Sequence, residues 1–259
     1  MSASVAIITG AGGDIGRAIA QKLMRADRIV VLADKDTAAA KKSIEALSGA
    51  PGRAVAIACD VTDPASVSAM VSEAASHGEI ALLINNAGAS LGVSLQSSTP
   101  ESWAQDVALN LNGAFHCFHA AADHLKANAG VVVNIASVNG TGTFGHPAYS
   151  AAKAGLIHFT RAIAVEYGKF GVRANAVAPG TVRTQAWEER ARANPNVFEE
   201  ARQWYPLERI ARPEDIANAV AFLSGPDAGA ITGVCLPVDC GLSAGQAKLA
   251  RTFSQSSDF

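Results

Sequence analysis

The sequence predicts an α/β fold, a single doubly wound domain with a seven-stranded parallel sheet and helices on both faces. Three observations carry this expectation. Short runs that are apolar throughout alternate with helical periodicity along 259 residues, as strands buried on both faces of a sheet require. A glycine-rich turn, Gly10-Ala11-Gly12-Gly13, follows the first apolar run and opens the first helical stretch. No linker, internal repeat or low-complexity block divides the chain, and its length fits one large α/β domain.

The elements follow in order. Residues 5–9 read as the first strand, ended by glycines, and 15–25 as a helix. Residues 29–33 give the second strand and 37–47 a helix. The third strand, 54–58, precedes a helix over 64–75, where Pro64 suits the first turn. The fourth strand, 82–84, leads to one long helix over 101–126. The fifth strand, 131–135, precedes a helix over 149–170, and the sixth, 172–177, completes that unit. A helix over 213–223 and a seventh strand over 234–238 close the pattern. Residues 181–209 break the rhythm with Trp187, Trp204, Tyr205 and the arginines 183, 190, 192, 202 and 209. A segment of this length without a clear element is usually functional, and it reads as short helices forming a substrate lid.

Composition excludes several classes. The chain is 49% hydrophobic and 17% charged with net charge −2, unlike the basic balance of a general nucleic-acid binder. No run of 18 apolar residues occurs, so no membrane span is expected. Met1-Ser2-Ala3-Ser4-Val5 lacks a basic region before an apolar core, so no signal peptide is expected and the prior is cytoplasmic. Cys59, Cys117, Cys235 and Cys240 form no CxxC pair, which reads as reduced, mostly buried thiols. Cys235 and Cys240 are five apart and would face opposite sides of a strand, which disfavours a local disulfide. His116 and His119 stand at i,i+3 spacing without a carboxylate or cysteine set, so packing is expected and a metal site is not.

The strand, glycine-rich turn and helix start formed by Gly10, Asp14, Ile15 and Gly16 suit a pyrophosphate, because a helix N-terminus offers free N–H groups and partial positive charge. A Walker loop is excluded, since Gly16-Arg17-Ala18 replaces GK[ST]. Asp34 ends the second strand, 18 residues after Gly16, where a carboxylate can accept from both adenosine ribose hydroxyls. Asp60 and Val61 follow the third strand, and Asn85-Asn86-Ala87-Gly88 the fourth. Polar residues at successive strand ends trace a cofactor groove.

Tyr149 and Lys153 stand four apart, neighbours on a helix. A tyrosine of pKa about 10 is a poor base, and an ammonium roughly 4 Å away would depress it by about three units. Ser137, 12 residues before Tyr149, ends the fifth strand, where a hydroxyl can bond a reacting carbonyl oxygen.

Over about residues 4–243 the chain resembles the short-chain dehydrogenase/reductase family. Thr9-Gly10 with Gly16 matches its TGxxxGxG turn, and residues 85–88 its NNAG motif. Asn110, Ser137, Tyr149 and Lys153 match its catalytic tetrad, and Pro179-Gly180-Thr181-Val182-Arg183-Thr184 its PG motif. The resemblance implies a Rossmann-type domain over 1–245, a tail over 246–259 and a homotetramer. It implies that Tyr149 moves the alcohol proton, Lys153 binds the nicotinamide ribose, Ser137 positions the substrate oxygen and Asn110 holds a relay water. Asn86, Ala87, Gly88, Pro179, Gly180, Val182 and Thr184 would line the cofactor, with Val182 and Thr184 holding the carboxamide. By family position Val138, Asn139, His146 and the lid, with Trp187, line the substrate pocket. The polar Asn139 and His146 favour a small hydroxylated substrate such as a sugar, polyol or hydroxy acid. Two residues depart from the pattern. Asp14 replaces the middle glycine and is expected to cap the following helix. Cys240 stands where Asp-Gly-Gly is frequent, and a local packing change is expected.

The cofactor expected is NAD. Asp34 would face the 2′-phosphate of NADP as a like charge, and Gly13 supplies no compensating cation, although Lys35 is adjacent. Two alternatives accompany this reading. One is an NADPH-dependent 3-oxoacyl thioester reductase, the other a non-catalytic nucleotide-binding scaffold.

Overall fold

β1 (Ser4–Thr9) lies inside the sheet, with a parallel strand paired along each of its edges. Residues Val5 to Ile8 are fully buried. The computed structural model describes residues 3–47, 49–192 and 194–258. Met1 and Ser2, Ala193 of the lid, the Arg190 side chain and the final Phe259 therefore lie outside the described residues.

Beside β1 run β2 (Arg28–Asp34), β3 (Arg53–Ala58), β4 (Glu79–Asn85), β5 (Val131–Ile135), β6 (Arg173–Pro179) and β7 (Cys235–Val238). All pair in parallel, in the order β3-β2-β1-β4-β5-β6-β7. The fold is the expected doubly wound, Rossmann-like sheet. Alternate residues point to opposite faces, so the strands feed two cores. Val5, Ile7, Val31, Leu83 and Val132 enter one, against Met70 and Leu125. Ala6, Ile8, Leu32, Ile84 and Val133 enter the other, against Ile19, Ile216 and Val220. Each Val, Leu, Ile or Met among them contributes about 1.5–3 kcal/mol on burial. Strand order reverses between β1 and β4, and the crevice at their carboxyl ends is where such sheets bind ligands.

The flanking helices are α1 (Asp14–Leu23), α2 (Thr37–Ala46) and α3 (Pro64–Ala75), the last capped by Asp63 with Pro64 in its first turn. The long helix expected over 101–126 is instead three pieces. α4 (Pro100–Val107) passes through a π-helical turn, Ala108–Asn112, into α5 (Gly113–Ala127). The cause is Asn110, whose Nδ2 donates to the Asp106 carbonyl at 2.9 Å and to Ala89 O at 2.8 Å. Widened turns of this kind recur at functional sites. α6 (Pro147–Tyr167) carries Tyr149 and Lys153. It is fixed to the sheet by buried polar contacts: Asn85 Nδ2 donates to Asn134 Oδ1 at 2.8 Å, and Asn134 Nδ2 to Thr160 Oγ1 at 2.8 Å.

Residues 181–209 hold two short helices, α7 (Gln185–Ala191) and α8 (Val197–Arg202). α9 (Pro213–Ser224) follows. The tail forms α10 (Ala247–Ser254), and Lys248 reaches back to Gln203 and lies 5.0 Å from the Trp204 ring centroid. Among the described residues no helix is long and apolar enough to cross a membrane. All four cysteines are free, Cys59 and Cys117 buried and the other two half-buried. Cys240 adopts φ +53. The departure from glycine there is a backbone matter, since left-handed geometry costs a residue with a Cβ about 1–2 kcal/mol. His116 packs as expected, with Nδ1 2.9 Å from the Val61 carbonyl.

Candidate active site

The first turn is built from Thr9, Asn86 and Ala87. Thr9 Oγ1 accepts from the backbone N–H groups of Asn86 and Ala87 at 3.1 and 3.0 Å. Asn86 Nδ2 donates to the carbonyls of Thr9 and Gly10 at 2.9 and 3.0 Å. This stitches the β1 and β4 ends together. Gly10 has φ +63, and a Cβ there would lie 2.8 Å from Ala87 Cα. A Cβ on Gly16 would lie 2.6 Å from the Gly10 carbonyl oxygen. Both positions require glycine.

Asp34 Oδ2 accepts from Gly12 N–H at 2.9 Å, and Oδ1 from Asp36 N–H at 2.9 Å. The carboxylate at the end of β2 therefore touches the glycine-rich turn. Asp60 Oδ1 accepts from the Thr62 N–H and hydroxyl at 2.9 and 2.7 Å, which holds its carboxyl below the usual range. It shapes the turn after β3, and Val61 is buried beneath that turn.

Asp14 does not cap α1. Gly13 occupies the cap position, and no side chain bonds there. Asp14 Oδ1 instead pairs with Arg17 at 2.7 Å, and Oδ2 accepts from Gln185 N–H at 2.6 Å, across 171 residues. The residue that replaces the middle glycine thus ties the turn to the start of α7. A cavity of about 390 Å³ lies beyond it, where Arg17, Arg183 and Arg212 are balanced by Asp14, Glu188 and Glu214.

A second cavity, of about 190 Å³, gathers the residues singled out by chemistry. Ser137, Tyr149 and Lys153 line it with Ile15, Asn86, Gly88, Pro179, Gly180, Val182, Thr184 and Trp187. Asn110 sits behind Gly88, and its buried Oδ1 has no partner among the described residues. A Cβ on Gly88 would lie 2.7 Å from that oxygen and 3.2 Å from Lys153 Nζ. Asn110 and Lys153 are thus neighbours across a glycine. These features fit a nicotinamide cofactor. Glycines leave a cradle that a Cβ would fill, α1 lacks a side-chain cap, Asp34 borders the turn and a buried amide oxygen awaits a donor.

The electrostatics differ from expectation. Lys153 Nζ donates to Ile135 O at 2.7 Å, and burial lowers its pKa to about 8. It lies 5.5 Å from the Tyr149 ring centroid. Tyr149 is raised, chiefly by burial, against a hydrogen bond with Ser137 that pulls the other way, while Asp106 adds to the rise. Burial sets the direction of the phenol, and the expected depression by Lys153 is not seen.

Asn139 and His146 also have other work. Asn139 Nδ2 donates to Gly145 O at 2.9 Å and to Ser150 Oγ at 3.1 Å, and its backbone N–H donates to Ser137 Oγ at 3.2 Å. His146 has φ +53, and its Nδ1 lies 2.7 Å from the Gly92 carbonyl. Both build loops; Asn139 has no amide proton left for a substrate. The sequence reading passed over Asp106 and placed Tyr205 in the segment 181–209 without a contact. Buried Asp106 accepts from the N–H groups of Leu91 and Gly92 at 3.2 and 3.3 Å. Tyr205 OH accepts from Thr181 N–H at 3.0 Å and holds the lid root. Nothing in local spacing distinguishes either from a surface residue.

Known proteins share this frame. The family model described as enoyl-(acyl carrier protein) reductase matches residues 10–243. Meso-2,3-butanediol dehydrogenase of Serratia marcescens is 37% identical, with 95% of this chain and 97% of that protein covered. A crystal structure of an oxidoreductase of the short-chain dehydrogenase/reductase family from Burkholderia thailandensis superposes with TM-score 0.92 at 41% identity, over 100% of both chains. An actinorhodin polyketide ketoreductase variant with NADPH superposes with TM-score 0.89 at 30% identity, over 95% of this chain and 100% of that one. The chain belongs to the short-chain dehydrogenase/reductase family, whose members are oxidoreductases that use nicotinamide cofactors.

Proposed function

We propose that this chain interconverts a secondary alcohol and its ketone with NAD(H). The observation that carries the reading is the meeting of Ser137, Tyr149 and Lys153 in one cavity, with Asn110 and the glycine-rich turn alongside. The bound cofactor supplies the hydride acceptor or donor. Tyr149 takes the hydroxyl proton during oxidation and returns it during reduction. Ser137 holds the phenol by a hydrogen bond and can turn its single hydroxyl proton to the substrate oxygen. Lys153, buried on the next turn of α6 with Nζ 5.5 Å from the Tyr149 ring centroid, would hold the nicotinamide ribose and, when charged, favours the phenolate. Asn110 offers its unpaired Oδ1 to a water that carries the proton onward past Lys153.

Asp34 supports NAD over NADP. A carboxylate has about four acceptor sites, and the Gly12 and Asp36 N–H groups use two. The remainder can accept from ribose hydroxyls as charge-assisted bonds. A 2′-phosphate there would meet like charge, which costs several kcal/mol, or at least about a hundredfold in affinity. Measuring kcat/KM for both coenzymes with one alcohol tests this. The expected ratio of NAD to NADP is well above one, and Asp34→Ala narrows it. A ratio at or below one overturns the reading and revives an NADPH-dependent 3-oxoacyl thioester reductase.

A further inference from the structure

We infer that the substrate carries an apolar alkyl or aryl group beside its reacting carbon, seated against Leu91, Val93 and Phe144. This rests on the hydride-transfer reading and names the substrate class for the same site. Two loops flank the catalytic pair. One follows β4 and runs from Ala89 to Val93. The other follows β5 and ends at His146, three residues before Tyr149.

The first loop is fixed at both ends. Asn110 Nδ2 donates to Ala89 O, and Asp106 accepts from Leu91 and Gly92 N–H. His146 N–H donates to Val93 O at 3.2 Å, and His146 Nδ1 contacts Gly92 O. His146 holds left-handed backbone geometry to do so, strain of a kind that persists at functional sites. Such a web is larger than an idle surface loop needs. What it holds in place is apolar. Leu91 is 52% exposed, Val93 65% and Phe144 41%. The His146 N–H bond to Val93 O joins the two loops, and Leu91 N–H is tied to Asp106, so the exposed apolar side chains stand on segments held together beside α6; exposed apolar surface of this kind is suited to a ligand.

The polar groups that would recognise a polyol are meanwhile engaged in the fold. Asn139 Nδ2 serves Gly145 and Ser150, Thr141 Oγ1 donates to Val138 O, and Ser150 Oγ donates to the carbonyls of Gly145 and His146. Ser90 and Thr143 leave single hydroxyls and His146 one ring nitrogen, few groups to satisfy several substrate hydroxyls taken from water. A buried substrate hydroxyl without a partner is strongly disfavoured. An alkyl or aryl group loses nothing there.

The test compares alcohols that share a reacting CH–OH. 1-Phenylethanol and 2-octanol form the apolar pair, xylitol and glycerol the polar pair. Leu91→Ser and Val93→Ser are run beside the wild type, with NADH binding followed by fluorescence. Both positions are exposed, so neither substitution threatens folding. We expect kcat/KM for the apolar pair to exceed that for the polar pair by about tenfold or more, the scale on which pockets discriminate apolar groups. Each substitution should erode the advantage through KM and leave NADH affinity unchanged. Faster turnover of the polar pair, or an apolar preference that both serine variants retain, overturns the inference while leaving hydride transfer standing. Tight NADH binding with no turnover of any alcohol removes the hydride-transfer reading and this inference with it.

Discussion

Tyr149 and Lys153 are neighbours by helical geometry, and that much the spacing told in advance. Their protonation was not legible, because it depends on burial that only the assembled sheet provides. Burial raises the phenol and lowers the ammonium to about 8. The phenol is therefore a better acid than base until a cation is brought against it, so alcohol oxidation should accelerate as pH rises. Replacing Tyr149 by Phe removes only the hydroxyl and leaves the ring's packing. That variant should bind NADH with unchanged affinity while kcat falls about 10²–10⁴-fold, the usual worth of a positioned acid or base. Near-native turnover by Tyr149→Phe would remove the phenol from its proposed role.

At the scale of elements, strands and helices were legible because each follows its own short-range periodicity. The break of 101–126 into α4, a π turn and α5 was not, since the residue that causes it, Asn110, bonds partly to Ala89 in another loop. Asp14 was misread as a cap for the same reason: its partner, Gln185, is 171 residues away. That contact makes a prediction about the lid. The Asp14 carboxylate is a charge-assisted acceptor for an N–H at the start of α7, and such bonds are stronger than neutral ones. Asp14→Ala should free the lid root to open locally. Limited proteolysis reports opening equilibria, so trypsin should cut at Arg183, Arg192 or Arg202 roughly tenfold faster in the variant, as expected for one charged bond lost. Equal cutting rates would show that Tyr205 and the α10 contacts hold the lid without Asp14.

For the whole molecule, the doubly wound topology creates a crevice at the β1 and β4 ends and then places a cation inside it. Lys153 is buried, with a folded pKa of about 8 against an ordinary 10.5. Between those values the unfolded chain holds a proton that the folded chain has released. Stability therefore rises with pH across this window. Below it the buried ammonium opposes folding by a constant amount, on the order of 3 kcal/mol. The site is thus maintained against stability, a common trade in enzymes. Lys153→Met keeps the length of the side chain and removes the titration. The variant should lose turnover. Its stability relative to wild type should also fall between pH 7 and pH 10, by roughly 2–3 kcal/mol, because only the wild type gains over that range. Urea titrations of both proteins at the two pH values measure the difference, and the other titrating groups cancel between them. A gap that stays constant with pH would mean that Lys153 releases its proton equally in both states, and that its burial is not what tunes it.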